Sequence, residues 1–159
     1  PQVPEVVTLD KIRLKINEYA RNEIQIEVDA LHANRKYFNA IIDKINIYFP
    51  VIEEILEEEN IPTDFKYLSL QESSLIPDAV SSSNAVGFWQ FKSTTAKTYG
   101  LNINNLVDER LNVVSSTKAA AKYLKNSNFV FDDLLLEKLA FMKYQLMPVI
   151  FFNNKIQKF

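Results

Sequence analysis

The chain has 159 residues, of which 47% are hydrophobic and 24% charged, with a net charge of -2. That is enough chain for one domain with a real core, and a composition that argues against disorder. There is no cysteine, one histidine (His32) and only two glycines (Gly87 and Gly100), which excludes disulfides, thiolate nucleophiles, HExxH zinc sites and glycine-rich phosphate loops. No dense Lys/Arg stretch marks a nucleic-acid groove, and no run of 18 apolar residues could cross a membrane. Chemistry in this chain must rest on carboxylates, hydroxyls, lysines and amides.

The pattern along the chain is helical nearly throughout, and it predicts no β-hairpin and no internal repeat. Pro1-Gln2-Val3-Pro4 carries no signal-peptide pattern and reads like a cut end. Thr8 can cap a helix from Leu9, with Ile12, Ile16 and Tyr19 at i, i+4 and i+7. A polar helix is expected from about Asn22 to Leu31. A third carries Phe38, Ile41, Ile42, Ile45 and Phe49 on one stripe. Pro50 suits the first turn of a fourth, which ends in Glu57-Glu58-Glu59. Asn60-Ile61-Pro62 breaks the pattern. Thr63 or Asp64 can then cap a helix bearing Phe65, Leu68 and Glu72 on one face. Residues 73–91 read as loop. Thr94 or Thr95 opens a short helix that Gly100 ends, and Ser115 or Ser116 opens another through Leu124. Asp132 and Asp133 open the last, from Leu134 to about Leu146, which Pro148 stops.

Most acidic residues have a plain reading. Glu53, Glu54, Glu57, Glu58 and Glu59 form a solvated face, and Asp132 and Asp133 suit the positive end of a helix. His32 lies in a polar stretch, as a surface residue would. Glu72 differs, because it stands on an apolar stripe at a helix end. A carboxylate there loses hydration, its pKa rises, and the protonated group can act as a general acid. The alternative is a carboxylate that caps its helix or pairs with Lys66 or Lys92. The loop Ser81-Ser82-Ser83-Asn84-Ala85-Val86-Gly87-Phe88-Trp89-Gln90-Phe91 then combines hydroxyls, amides and the only tryptophan. Such a set can stack on a sugar ring and bond its hydroxyl and acetamido groups, or it can be a packed loop with Trp89 in the core.

Several of these segments, in order, resemble the lytic murein transglycosylases with an SLT (soluble lytic transglycosylase) domain, within the goose-lysozyme-like glycoside hydrolase family 23. The match runs through Ile61-Pro62-Thr63-Asp64-Phe65-Lys66-Tyr67-Leu68, Glu72-Ser73 and Asn84-Ala85-Val86-Gly87-Phe88-Trp89-Gln90-Phe91. It continues in Thr95 to Leu101, Val107-Asp108-Glu109-Arg110 and Ser116 to Leu124, and covers about residues 35 to 135. The type most similar is the membrane-bound D group, whose preceding helix Tyr48 to Leu56 also resembles. The resemblance implies an all-α, lysozyme-like fold. Residues 1–60 would be an N-terminal helical extension packed on the core, and 61–159 a catalytic domain with a diverged or truncated C-terminus.

The resemblance further implies that Glu72 is the sole catalytic carboxylate, with Ser73, Ser81 and Gln90 at the substrate. The substrate implied is peptidoglycan, cut between N-acetylmuramic acid and N-acetylglucosamine to leave a 1,6-anhydromuramoyl end. No metal and no cofactor is implied, and the expected form is a monomer in the periplasm or cell envelope. Three departures stand out. Asn84 replaces the family's glycine, and Lys92-Ser93 replaces Met-Pro, which brings a charge near the cleft. The family's final Ala-Tyr-Asn-x-Gly motif is altered. A gapless extension places Phe141-Met142 at Tyr-Asn, and a three-residue shift places Tyr144-Gln145 there; the second is preferred because it supplies a phenol. The altered motif favours the alternative of a non-catalytic glycan-binding or structural module of the same fold.

Overall fold

The computed structural model describes residues 2–9 and 12–126. The chain begins with a hairpin of β1 (Val6–Leu9) and β2 (Ile12–Lys15), antiparallel, with Val6 opposite Lys15 and Leu9 opposite Ile12. This replaces the helix expected from Leu9. The segment holds Val6, Val7, Thr8 and Ile12, and β-branched side chains favour the extended backbone. Asn17 then caps α1 (Glu18–Ala33), its side chain accepting the Ala20 amide.

Asn34 starts α2 (Arg35–Glu58), its side chain accepting the Tyr37 amide. The third and fourth expected helices are therefore one. Pro50 lies inside α2 on its exposed side, where it removes one backbone hydrogen bond. The opposite face is an unbroken buried stripe of Phe38, Ile41, Ile42, Ile45, Phe49, Ile52, Ile55 and Leu56. Burial of that stripe outweighs the proline, since each such side chain contributes about 1.5–3 kcal/mol.

A single 3-10 turn at Thr63–Phe65 leads into α3 (Lys66–Ser73), and neither has a side-chain cap, contrary to the role expected of Thr63 or Asp64. The short helix is α4 (Ser93–Thr98). Gly100 follows its C-terminus at φ 91°, as its position suggested. The last described helix is α5 (Val113–Asn126). Its first amides are met by Asn112, whose Oδ1 accepts from Ser115 N, while Ser116 is buried inside the helix. The helix expected from Leu134 lies outside the described residues.

The core joins α2, α3, α5 and the loop before α4. Ile52, Leu56, Phe65, Leu75, Phe88 and Ala121 sit at its centre. Ala119, Ala120 and Ala121 give α5 a low profile where it packs against α2. Glu59 and Lys125 join the ends of these two helices at 2.6 Å.

The loop of residues 79–91 is fixed by its backbone contact with residue 110. Gly87 has φ +82°, and a Cβ there would stand 2.0 Å from the Arg110 carbonyl oxygen. Arg110 in turn forks onto Asp108, with Nη2 2.6 Å from Oδ2, and donates from Nη1 to the Phe91 carbonyl at 3.1 Å. Gly100 has open space around it, so its substitution meets only the left-handed backbone cost of about 1 kcal/mol. Gly87→Ala is expected to lower the thermal midpoint by several degrees more than Gly100→Ala, at roughly 2–4 °C per kcal/mol. Equal midpoints for the two variants would remove the close approach as the reason for Gly87.

Candidate active site

Glu72 lies in the last turn of α3, four residues after Leu68. Both line a groove of about 180 Å³ whose other walls are Trp89, Phe91, Ala120, Tyr123 and Leu124. Glu72 carries the only carboxyl among these seven residues. Its side chain is exposed at the mouth of the groove, and partial desolvation of its carboxyl raises its pKa above the ordinary carboxylate value. Neither lysine considered as a partner holds it. Lys66 pairs with Glu53 on α2 and lies over the rings of Phe49 and Tyr67, at 5.4 and 5.1 Å from their centroids. Lys92 is exposed, and desolvation is the cause of the Glu72 shift. Larger hollows of about 380 and 440 Å³ run along α1 beside Arg21, but none of their walls comes from α3 or α5.

Beyond Ser73 the backbone turns left-handed at two successive residues that are not glycine, Ser74 (φ 51°) and Leu75 (φ 55°). Each such residue costs roughly 1–2 kcal/mol. The turn is closed by Ser74 N donating to Leu70 O at 2.8 Å and Ile76 N to Ser73 O at 3.0 Å. Leu75 is fully buried, so its burial offsets part of the backbone cost.

The polar residues named from the sequence are placed as follows. Ser73 is buried, and its hydroxyl lies 3.1 Å from both the Ser69 and the Phe88 carbonyls, which ties the loop to α3. Ser81 accepts the Ala85 amide at 3.1 Å and lies 3.1 Å from the Ser83 hydroxyl. Gln90, at φ 47°, donates from Nε2 to the Ala79 and Gly87 carbonyls at 3.1 and 3.0 Å. All three hold the 79–91 loop together, and none of them lines the Glu72 groove. Asn84 takes the left-handed conformation, φ 60°, that a glycine would occupy. Tyr144 and Gln145 lie outside the described residues.

Trp89 is packed in the core and also forms part of the groove wall. It is 9% exposed, and its Nε1 donates to Thr117 Oγ1 on α5 at 3.0 Å. The sequence reading did not single out Tyr123 or Ala120 as site residues. Tyr123 stands edge-on to Phe91 and Tyr99, with centroids 6.2 and 5.4 Å apart, and the small side chain of Ala120 leaves room beside it. Their signal was a tyrosine one turn after an alanine run, which reads equally well as a packing face.

Comparison with known proteins identifies the family. The family model described as "Transglycosylase SLT domain" matches residues 49–144. Membrane-bound lytic murein transglycosylase D of Escherichia coli (strain K12) is 31% identical over 133 residues, which is 83% of this chain and 29% of that protein. The protein of the same name from Escherichia coli O6:H1 aligns equally. A tributyltin chloride resistance protein of Alteromonas sp. (strain M-1) is 31% identical over 86 residues, 54% of this chain and 41% of its own length. The chain thus spans less than a third of the transglycosylase D proteins it matches. With the model covering Glu72, the 79–91 loop and α5 together, this all-α chain belongs to the transglycosylase SLT domain family.

Proposed function

We propose that this chain is a peptidoglycan lytic transglycosylase with Glu72 as its single acid and base. The observation that carries the reading is one carboxyl of raised pKa in a groove that, among the described residues, holds no other charged side chain. Glycosidases that work with a carboxylate pair need two such groups at a set separation. A groove with one fits a reaction in which the substrate supplies the second nucleophile. The names of the Escherichia coli relatives support murein, the peptidoglycan of the wall, as that substrate.

The steps follow from the proton on Glu72. Its carboxyl donates that proton to the glycosidic oxygen, and the bond to the muramoyl C1 breaks with its electron pair leaving on that oxygen. The neighbouring acetamido oxygen bonds to C1 and spreads the positive charge. Glu72, now a carboxylate, removes the proton from the C6 hydroxyl. The C6 oxygen then bonds to C1, displaces the acetamido oxygen and closes the 1,6-anhydro ring. Glu72 ends protonated, ready for the next cycle. The apolar wall that raises its pKa favours this resting state.

In this reading Ser81 and Gln90 contact substrate from the 79–91 loop, Ser73 supports them from α3 through its bond to the Phe88 carbonyl, and Tyr144 and Gln145 are further substrate contacts. The chain acts as a monomer in the bacterial envelope, on the periplasmic side. Residues 1–60 serve as an extension packed on a catalytic domain of residues 61–159. Support for the envelope is the membrane-bound designation of the relatives. Among the described residues no helix is long and apolar enough to cross a membrane.

Digestion of purified sacculi is expected to release 1,6-anhydromuropeptides, and Glu72→Gln to abolish the release while the protein stays folded. Products with reducing muramic acid ends would replace the reading with a lysozyme-like hydrolase. Sacculus binding without turnover would leave a glycan-binding module.

The pH dependence has a definite sign. Turnover needs Glu72 protonated at the start, so it should fall as pH rises through the raised pKa, with its basic limb above the ordinary carboxyl value of 4.5. Stability follows the same proton. A carboxyl that holds its proton more tightly when folded contributes most below its unfolded pKa and loses that contribution as pH rises through its folded value. Glu72→Gln should therefore melt no lower than wild type at neutral pH, and any excess should vanish below about pH 4. Thermal melts across pH check this, and a variant less stable only at neutral pH would contradict the desolvated carboxyl.

A further inference from the structure

The left-handed turn after Glu72 needs something to hold it, and the structure supplies a cation from another helix. Lys44 on α2 extends its ammonium to the Ser74 carbonyl, 30 residues along the chain. Among the described residues, Lys44 forms no ion pair with a carboxylate. Its neighbours on the helix, Ile41, Ile42 and Ile45, are buried, and the ammonium itself is partly desolvated, which lowers its pKa. A partly desolvated ammonium loses hydration, and its bond to the Ser74 carbonyl offsets part of that loss. The carbonyl it meets belongs to the C-cap of α3, where backbone acceptors lack helical partners and the helix dipole favours a positive charge.

We propose that Lys44 is a positioning residue for Glu72: by holding the Ser74 carbonyl it locks the Ser74–Leu75 turn and so fixes the final turn of α3. Its catalytic consequence rests on the function proposed above, while the lock itself does not. Desolvation by the groove accounts for the Glu72 shift, so Lys44 acts through geometry and not through its field. Glu72 stands two residues before the held carbonyl, and a small displacement of an acid from the bond it protonates is enough to slow the reaction.

The test compares Lys44→Met, Lys44→Arg, the double variant Lys44→Met with Ser74→Gly, and Lys36→Met as a control on the exposed side of the same helix. In Lys44→Met, amide exchange at Ser74 and Ile76 should accelerate by about tenfold while the core of α2 and α5 changes by less than about twofold. Release of anhydromuropeptides should fall by about tenfold with sacculus affinity unchanged. Lys44→Arg should keep both properties. Glycine at residue 74 should restore part of the protection, because it adopts the left-handed backbone without strain. The inference is overturned if exchange at Ser74 and Ile76 does not change, if turnover and sacculus affinity fall together, or if Lys36→Met behaves alike. Should Lys44→Met not fold, the same comparison between Lys44→Arg and the double variant decides it. The exchange response in Lys44→Met, together with no anhydro product from the wild-type chain, would sink the proposed activity and leave the lock standing.

Discussion

The site depends on two backbones coming closer than any side chain would allow. Gly87 lies against the Arg110 carbonyl, and this contact sets where the 79–91 loop can run. The Arg110 fork onto Asp108 fixes the second backbone, and the Arg110 bond to the Phe91 carbonyl returns to the loop a few residues later. Ser73 then ties the Phe88 carbonyl to α3, and Trp89 reaches Thr117 on α5. Three anchors in four consecutive residues leave the loop little freedom. They also explain how a segment with little regular structure can form a wall of the groove.

The groove works by contrast. Among the described residues its walls are aromatic and aliphatic, and the one acid, exposed at the mouth, is partly desolvated by them. A charged neighbour would undo the effect, and the nearby lysines are kept away. Lys66 is committed to Glu53 and two aromatic rings, and Lys92 remains at the surface. Helix α2 contributes to this arrangement from behind. It carries Glu53, Lys44 and the apolar stripe on which α3 and α5 rest.

Much of this was legible in the chain. The stripe from Phe38 to Phe49, the terminating role of Gly100 and the anomalous position of Glu72 all follow from period and residue type. Other features were hidden for physical reasons. Leu9, Ile12, Ile16 and Tyr19 fit a helical period, but the β-branched residues before them favour a hairpin, and local pattern alone does not rank the two. Pro50 looked like a helix start because a proline's local signal does not include the burial on the far side of the helix. Ser73, Ser81 and Gln90 were recognisable as polar residues near the acid, but which groups they bond depends on how the loop closes. Tyr123 entered the groove wall unannounced, since an aromatic on a helix face has the same sequence signature whether it fills a core or borders a cleft. The altered final motif, with Tyr144 and Gln145, falls outside the described residues.

Apart from Arg110, which forks onto Asp108 and bonds the Phe91 carbonyl, the anchors of the 79–91 loop are hydroxyls, an indole, a primary amide and backbone groups, all uncharged. Mobile counter-ions screen exposed charges across about 8–10 Å of saline, but they have little purchase on neutral dipoles or on a half-enclosed guanidinium. The course of the 79–91 loop should therefore change little with ionic strength, in dilute and briny surroundings alike.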